Sequence, residues 1–300
     1  MEMAEASGIT LVEEPLNPWK ATSTGVGEMI LDAVQKGCRK FIIGIGGSAT
    51  TEGGIGMLSA LGYDFMDENG DRLPPVFDSL EKVVQIKNNR VPEVLKDCHF
   101  QIACDVTNPL CGAQGCVYVF GAQKGVKEEE KESMDKAMQS YAACLEKSTG
   151  KKLNDILGTG AAGGLGFAFL WGLPNVELKP GIDIVLEAVG LTNELKDADV
   201  VVTGEGCLDF QTAMGKVPVG VAKATKNYNC KVIAFAGSVT EEAKNCNEKG
   251  IDAFFSILPG VCSLDEAMDM ETAQKNMRNA AEQVFRLILA CGKEKSFLHP

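Results

Sequence analysis

Short apolar runs rich in β-branched and aromatic residues recur at 41–45, 100–104, 117–120, 200–203, 232–236 and 253–258. Each is closed by polar or glycine-rich sequence, and together they predict six strands. Between most of them apolar residues return every three or four positions, predicting helices over 28–36, 54–61, 128–147, 163–171, 216–226, 241–249 and 264–289. Such alternation predicts an α/β fold with mostly parallel sheets flanked by helices. A change near 194–197, where a compact strand–helix–strand series begins, suggests two α/β domains, 1–195 and 196–300. The run Phe41-Ile-Ile-Gly-Ile45 reads as a strand buried on both faces. The charged entry at 127–132 reads as the wet face of a surface helix, and Ser238-Val-Thr-Glu241 has the spacing of a capping box, so a helix should follow the strand ending at Ala236.

In folds of this kind ligands bind beyond the C-terminal ends of the strands, and several of those ends carry chemistry. After 41–45 come Gly46 and Gly47, able to turn with positive φ, then the hydroxyls of Ser48, Thr50 and Thr51. The loop is either an anion cradle or a packing turn, and it lacks the Gly-Lys-Ser/Thr of a Walker loop. Asp105 stands at the tip of the strand 100–104, with Asn108 just beyond it. After 200–203, Gly204-Glu-Gly-Cys-Leu-Asp209 places Glu205 and Asp209 in a glycine loop, with Lys216 at the next helix start. Either acidic loop alone could be a turn in which Asp caps backbone amides. Jointly they supply what phosphoryl transfer needs: amides to cradle phosphate, carboxylates to hold Mg²⁺ or accept a proton, and a lysine to neutralise charge. With only two histidines in the chain, a carboxylate is the expected base. Lys124, in Phe120-Gly-Ala-Gln-Lys-Gly125, either reaches a phosphate or carboxylate or lies in a surface turn. Gly158-Thr-Gly-Ala-Ala-Gly163 matches a dinucleotide fingerprint, but 151–157 is a poor strand, and the segment from 163 to 171 reads more simply as a helix packing through small residues.

Composition narrows the partners. A chain of 300 residues that is 45% apolar can bury a substantial core, and its net charge of −12 argues against nucleic acid or an anionic membrane surface as partner. Eleven cysteines without a Cys-x-x-Cys pair read as reduced thiols, and His99 and His299 are too few to suggest a structural zinc site. No run reaches membrane-spanning length, and the first residues lack the pattern of a signal peptide, so a cytoplasmic protein is expected.

Five segments in order, Ile43-Gly-Ile-Gly-Gly-Ser-Ala-Thr-Thr-Glu-Gly-Gly54, Ala103-Cys-Asp-Val-Thr-Asn-Pro-Leu-Cys-Gly112, Phe120-Gly-Ala-Gln-Lys-Gly125, Gly160-Ala-Ala-Gly-Gly-Leu-Gly166 and Val202-Thr-Gly-Glu-Gly-Cys-Leu-Asp-Phe-Gln-Thr212 with Gly215-Lys-Val-Pro218, resemble the type I glycerate kinases. That resemblance implies a bacterial-type enzyme that phosphorylates the 2-hydroxyl of glycerate with ATP and Mg²⁺ in a cleft between two domains. It implies Asp105 as base or metal ligand, Glu205 and Asp209 as metal or substrate ligands, and Lys216 as charge neutraliser. Asp105 and Glu205 are the expected Mg²⁺ ligands. Gly46, Gly47, Ser48 and Thr50 form the expected anion cradle, with Asn108, Lys124, Gly204 and Gly206 as further substrate or phosphate contacts. Three positions depart from the family pattern: Cys207 stands where an arginine is usual, Glu52 replaces Asp and Ala122 replaces Pro. The family's opening strand, Asp-Ser-Phe-Lys type loop and acidic glycine-rich loop are not found ahead of Glu2, so 196–300 reads as the C-terminal part of a Rossmann-like domain whose N-terminal part is absent. The alternatives kept open are a non-catalytic, ligand-binding remnant and a kinase of another small hydroxy acid, with a homodimer open as assembly.

Overall fold

The structure, a computed structural model, describes residues 1–293. The chain forms two compact units, Met1–Ile184 and Val185–Pro300. The division falls inside the helix Gly181–Ala188 rather than near residue 195.

The first unit contains five strands: β1 (Lys40–Gly44), β2 (Asp64–Met66), β3 (Gln85–Lys87), β4 (His99–Ala103) and β5 (Val176–Lys179). Strands β1, β4 and β5 make a parallel sheet with β4 in the middle, while β2 and β3 pair as an antiparallel ribbon. Register sets Phe41 beside Phe100 and Ile43 beside Ile102, and the two phenylalanine rings stack at 4.8 Å. Helices Thr24–Gln35 and Lys131–Thr149 turn one face to the core, the first through Val26, Ile30 and Val34, the second through Met134, Met138, Tyr141 and Leu145. The long helix is therefore half core and half wet, as i, i+3/i+4 apolar spacing dictates.

Sequence and structure part at several places in this unit, and β2, β3 and β5 are short strands that the apolar runs do not predict. β1 is buried on one face only: Phe41 and Ile43 point inward while Ile42 remains 46% exposed. The predicted strand 117–120 is the helix Cys116–Phe120. Its four apolar residues make barely one turn, too few to separate the two periodicities, and Val117 is buried whereas Val119 is exposed. Ala161–Gly172 begins with Ala162, Gly163 and Gly164 all left-handed, at φ 51°, 66° and 94°, so its helix proper starts at Leu165.

In the second unit β6 (Val200–Leu208), β7 (Lys231–Val239) and β8 (Ala253–Ser256) form a parallel sheet with β7 central. One face packs Leu208, Val219, Ala222, Val232, Ala234 and Ile251; the other packs Ile233, Phe235 and Val284. β6 runs five residues past its expected end, so Glu205 pairs with Ala236 and Gly204 with Phe235 inside the ladder, not in a glycine loop. β7 likewise continues to Val239 and hands over at Thr240 to a 3₁₀ helix, Glu241–Lys249. The predicted helix 264–289 is two helices, Leu264–Met268 and Met270–Lys293, because Ser263 caps the first and Asp269 accepts the Thr272 amide at 2.9 Å to start the second. Among the described residues no helix is long and apolar enough to cross a membrane, and all eleven cysteines are free thiols.

Candidate functional site

Beyond β1 the chain runs on for only one residue, Ile45, before the glycines turn it. Gly46 and Gly47 are exposed, Gly47 is left-handed at φ 70°, and a Cβ at Gly46 would meet nothing within 4 Å. The backbone here is open to a ligand. Immediately afterwards the loop dives inward. Ser48, Thr50, Thr51 and Glu52 are all buried, and the Thr50 and Thr51 hydroxyls have no partner.

Two groups hold this buried stretch. Lys124, only 3% exposed, donates from Nζ to Ser48 Oγ and to the Thr50 carbonyl, each at 2.7 Å. Burial pushes its pKa down to about 8, opposed by the Cys116 thiol and the Glu52 carboxylate. The surface-turn reading of Lys124 is thus overturned: the helix Cys116–Phe120 and the short turn Ala122–Lys124 carry it into the core. Glu52 accepts from the Ser23 amide at 2.7 Å and hydroxyl at 2.5 Å, and from the Gly54 and Gly56 amides at 3.0 and 3.2 Å. Burial raises its pKa, and the Ser23, Gly54 and Gly56 donors pull the other way. On the opposite side the left-handed turn at 162–164 supports the loop: Gly53 N–H donates to the Gly163 carbonyl at 2.9 Å, and a Cβ on Gly163 would collide with the Thr50 carbonyl. Turns, not a strand, precede Gly158, so the fingerprint-like segment is a backbone support.

Parallel pairing puts the end of β4 at the same edge of the sheet as the end of β1, Gly44 being opposite Ala103. Asp105 is exposed there and its Oδ1 accepts the Gly181 amide at 2.8 Å. Asn108 is half-buried and structural in its contacts: Nδ2 donates to the Gln114 carbonyl at 2.9 Å, and its own carbonyl accepts the Gly160 amide at 3.0 Å. Sequence reasoning finds Asp105 but misses Gly181, whose amide orients it; glycine at a helix start gives no warning.

The second unit assembles its own set. Asp209 Oδ1 accepts the Gln211 and Thr212 amides at 2.9 and 3.1 Å, capping the helix Phe210–Ala213. Buried Thr212 donates its hydroxyl to Glu205 Oε1 and so ties the strand acid to the cap. Lys216 lies 3.8 Å from Asp209 Oδ1. Desolvation alone would raise the Asp209 pKa, but the Thr212 amide, the Lys216 charge and the Gln211 amide together hold it below the usual carboxylate range. Gly204 and Gly206 lie in β6 on either side of Glu205; a Cβ on Gly204 would collide with the Phe235 carbonyl, whereas Gly206 faces open space. Cys207 is half-buried opposite Ser238. Thr212, which joins the two acids, is a residue that the motif alone does not single out; its three-residue spacing from Asp209 is the capping-box signal that could find it.

The predicted residues therefore fall into two sets: Gly46, Gly47, Ser48, Thr50, Lys124, Asp105 and Asn108 in the first unit, and Gly204, Glu205, Gly206, Asp209 and Lys216 in the second. Among the described residues no three His, Cys, Asp or Glu side chains converge as a ready metal cage. Mg²⁺ does not require one, since it is commonly held by one or two carboxylates together with water and substrate phosphate. Glu205 and Asp209 suit that role because their bonds to Thr212 and to the helix engage one oxygen of each carboxylate.

Comparison with known proteins supplies the family. The model of the Glycerate kinase family matches residues 1–289. The glycerate kinase of Bacillus subtilis (strain 168) is 43% identical over 285 residues, 95% of this chain and 74% of that protein. The glycerate 2-kinase of Escherichia coli (strain K12) is 44% identical over 268 residues, 89% of this chain and 70% of that one. A crystal structure of a Salmonella typhimurium LT2 protein assigned as a glycerate kinase 2 superposes with a TM-score of 0.85 at 41% identity, covering 97% of this chain and 76% of that chain. With a family model spanning nearly all of the chain and relatives above 40% identity, the chain belongs to the glycerate kinase family.

Proposed function

We propose that this protein transfers the γ-phosphoryl group of ATP to the 2-hydroxyl of glycerate, giving 2-phosphoglycerate, and that it works in the cytoplasm. The observation that carries the reading is the Glu205–Thr212–Asp209–Lys216 constellation, two carboxylates and a cation organised around one buried threonine at the end of a parallel strand. Such an arrangement answers the main demand of phosphoryl transfer, which is positioning and charge stabilisation rather than covalent chemistry. In this reading Glu205 and Asp209 hold Mg²⁺, which when bound neutralises charge developing on the phosphate oxygens. Lys216 offsets the charge that remains, and the open backbone at Gly46 and Gly47 receives an anionic group. Asp105, exposed and oriented by the Gly181 amide, takes the proton of the attacking hydroxyl.

The test is a coupled ADP-release assay with glycerate and Mg-ATP on the purified 300-residue chain. Asp105→Asn should lower kcat by about a hundredfold or more, within the range that a positioned base contributes. A loss smaller than about tenfold removes Asp105 from the chemistry. Turnover of another small hydroxy acid in preference to glycerate would replace the substrate while keeping the reaction class.

A further inference from the structure

Among the described residues Lys124 is the one lysine enclosed completely enough to be unavailable to solvent, at 3% exposure. Cations are rarely buried unless a specific arrangement needs them. Its amino group bonds the Ser48 hydroxyl and Thr50 carbonyl of the glycine loop, and the Cys116 thiol and Glu52 carboxylate act on it electrostatically. Both direct bonds go to the two residues that flank Ala49, where the chain changes from open glycine backbone to buried core. The Gly125 that follows is left-handed at φ 94°, and a Cβ there would come within 2.8 Å of the Leu16 carbonyl, so the lysine's own turn is fixed from behind. An amine held this way, 3% exposed and with two of its three donors on the loop itself, is placed to set the shape of that loop rather than to meet a ligand from solvent.

We propose that Lys124 is a positioning residue: it pins Ser48 and Thr50 so that the backbone at Gly46 and Gly47 stands ready to receive an anionic phosphate group, and it does not itself contact that group. This rests on the kinase reading for the identity of the anion, but not for the effect on the loop. Hydrogen exchange of the ligand-free protein tests the latter. Lys124→Met keeps the side-chain length and removes the donors; backbone amides in 46–51 should exchange at least about tenfold faster, while those of 41–43 in β1 stay as in the parent. In steady-state assays the same variant should raise KM for Mg-ATP by about tenfold and change kcat by less than about threefold, the signature of lost ground-state positioning. Ser48→Ala, which leaves the Thr50 bond in place, should move both readouts in the same direction by less, and the double variant should be no worse than Lys124→Met alone, because the two act as one contact.

Unchanged exchange at 46–51 in Lys124→Met, with KM nevertheless raised, would overturn the proposal in favour of direct contact with the anion. Should Lys124→Met fail to fold, Ser48→Ala decides: a variant that exchanges and binds like the parent overturns it. A parent that turns over no glycerate defeats the kinase reading, and the exchange comparison still decides what Lys124 does to the loop.

Discussion

The loop after β1 and the segment that follows Thr203 in β6, Gly204 to Lys216, look alike in sequence: glycines, hydroxyls and acids following an apolar run. Physically they are opposites. In the first, the polar side chains are interior: Glu52 is fully buried, Lys124 nearly so, and the bonds of both go to the loop and its immediate supports. In the second, Asp209 and Lys216 keep access to solvent, and one buried residue, Thr212, ties the two acids together, its hydroxyl donating to Glu205 and its amide to Asp209. The contrast separates two tasks that a glycine-rich signature conflates. Interior polar groups build a rigid support and present bare backbone, whereas solvent-accessible carboxylates remain able to change partners.

On that contrast, removing an acid should have opposite consequences in the two regions. The largest effect is expected for Glu52→Ala, which leaves the Ser23, Gly54 and Gly56 amides without their acceptor inside the core. It should destabilise the fold by about 3–5 kcal/mol, read as a lower denaturation midpoint. A loss below about 1 kcal/mol would mean that the buried network is not what holds the loop.

Next comes pH. The Lys124 pKa in the folded chain is about 8, against an ordinary 10.5, so the unfolded chain binds the extra proton between those values. Stability owed to this group therefore rises as pH climbs from about 8 to 10.5 and is at its minimum below that window. At about 1.4 kcal/mol per pH unit, the parent should gain about 3 kcal/mol relative to Lys124→Met across it. Comparing the two chains cancels buried thiols that Lys124 does not act on, such as Cys111, whose raised pKa acts in the opposite direction. A flat difference would show that the amine is already solvated.

The smallest effect on stability is expected at Asp209→Ala. It removes the cap of a four-residue helix, so the denaturation midpoint should fall by much less than for Glu52→Ala, while turnover drops by about a hundredfold or more. Because the Asp209 pKa is depressed, its contribution to stability is present above the ordinary carboxylate range and disappears as pH falls through the lowered value. A large stability loss with activity retained would reverse the contrast drawn between the regions.

Much of this is legible in the chain itself. Phe41 to Ile45, Phe100 to Cys104 and the 232–236 run announce strands through β-branched and aromatic density, and five motif segments announce the family. The apolar run at 117–120 misleads because one turn of helix and four residues of strand carry the same pattern. Lys124 misleads for a related reason: glycines on both sides suggest a surface turn, and only the packing of the helix before it drives the lysine inward. Likewise Ala162, Gly163 and Gly164 read as the small residues of a helix, although their left-handed conformation lets the backbone lie against Thr50 and Gly53.

Sequence alone determined the α/β class, the glycine turn after β1 and the family, because periodicity and motif spacing are local properties of the chain. Tertiary structure decided which of those polar residues face water. Burial is set by elements far apart in sequence: the Lys124 amine meets Ser48 across 76 positions and Glu52 meets Ser23 across 29. No local pattern encodes such pairings, and they are what turns one glycine loop into a rigid support and leaves the other as a set of solvent-accessible acids.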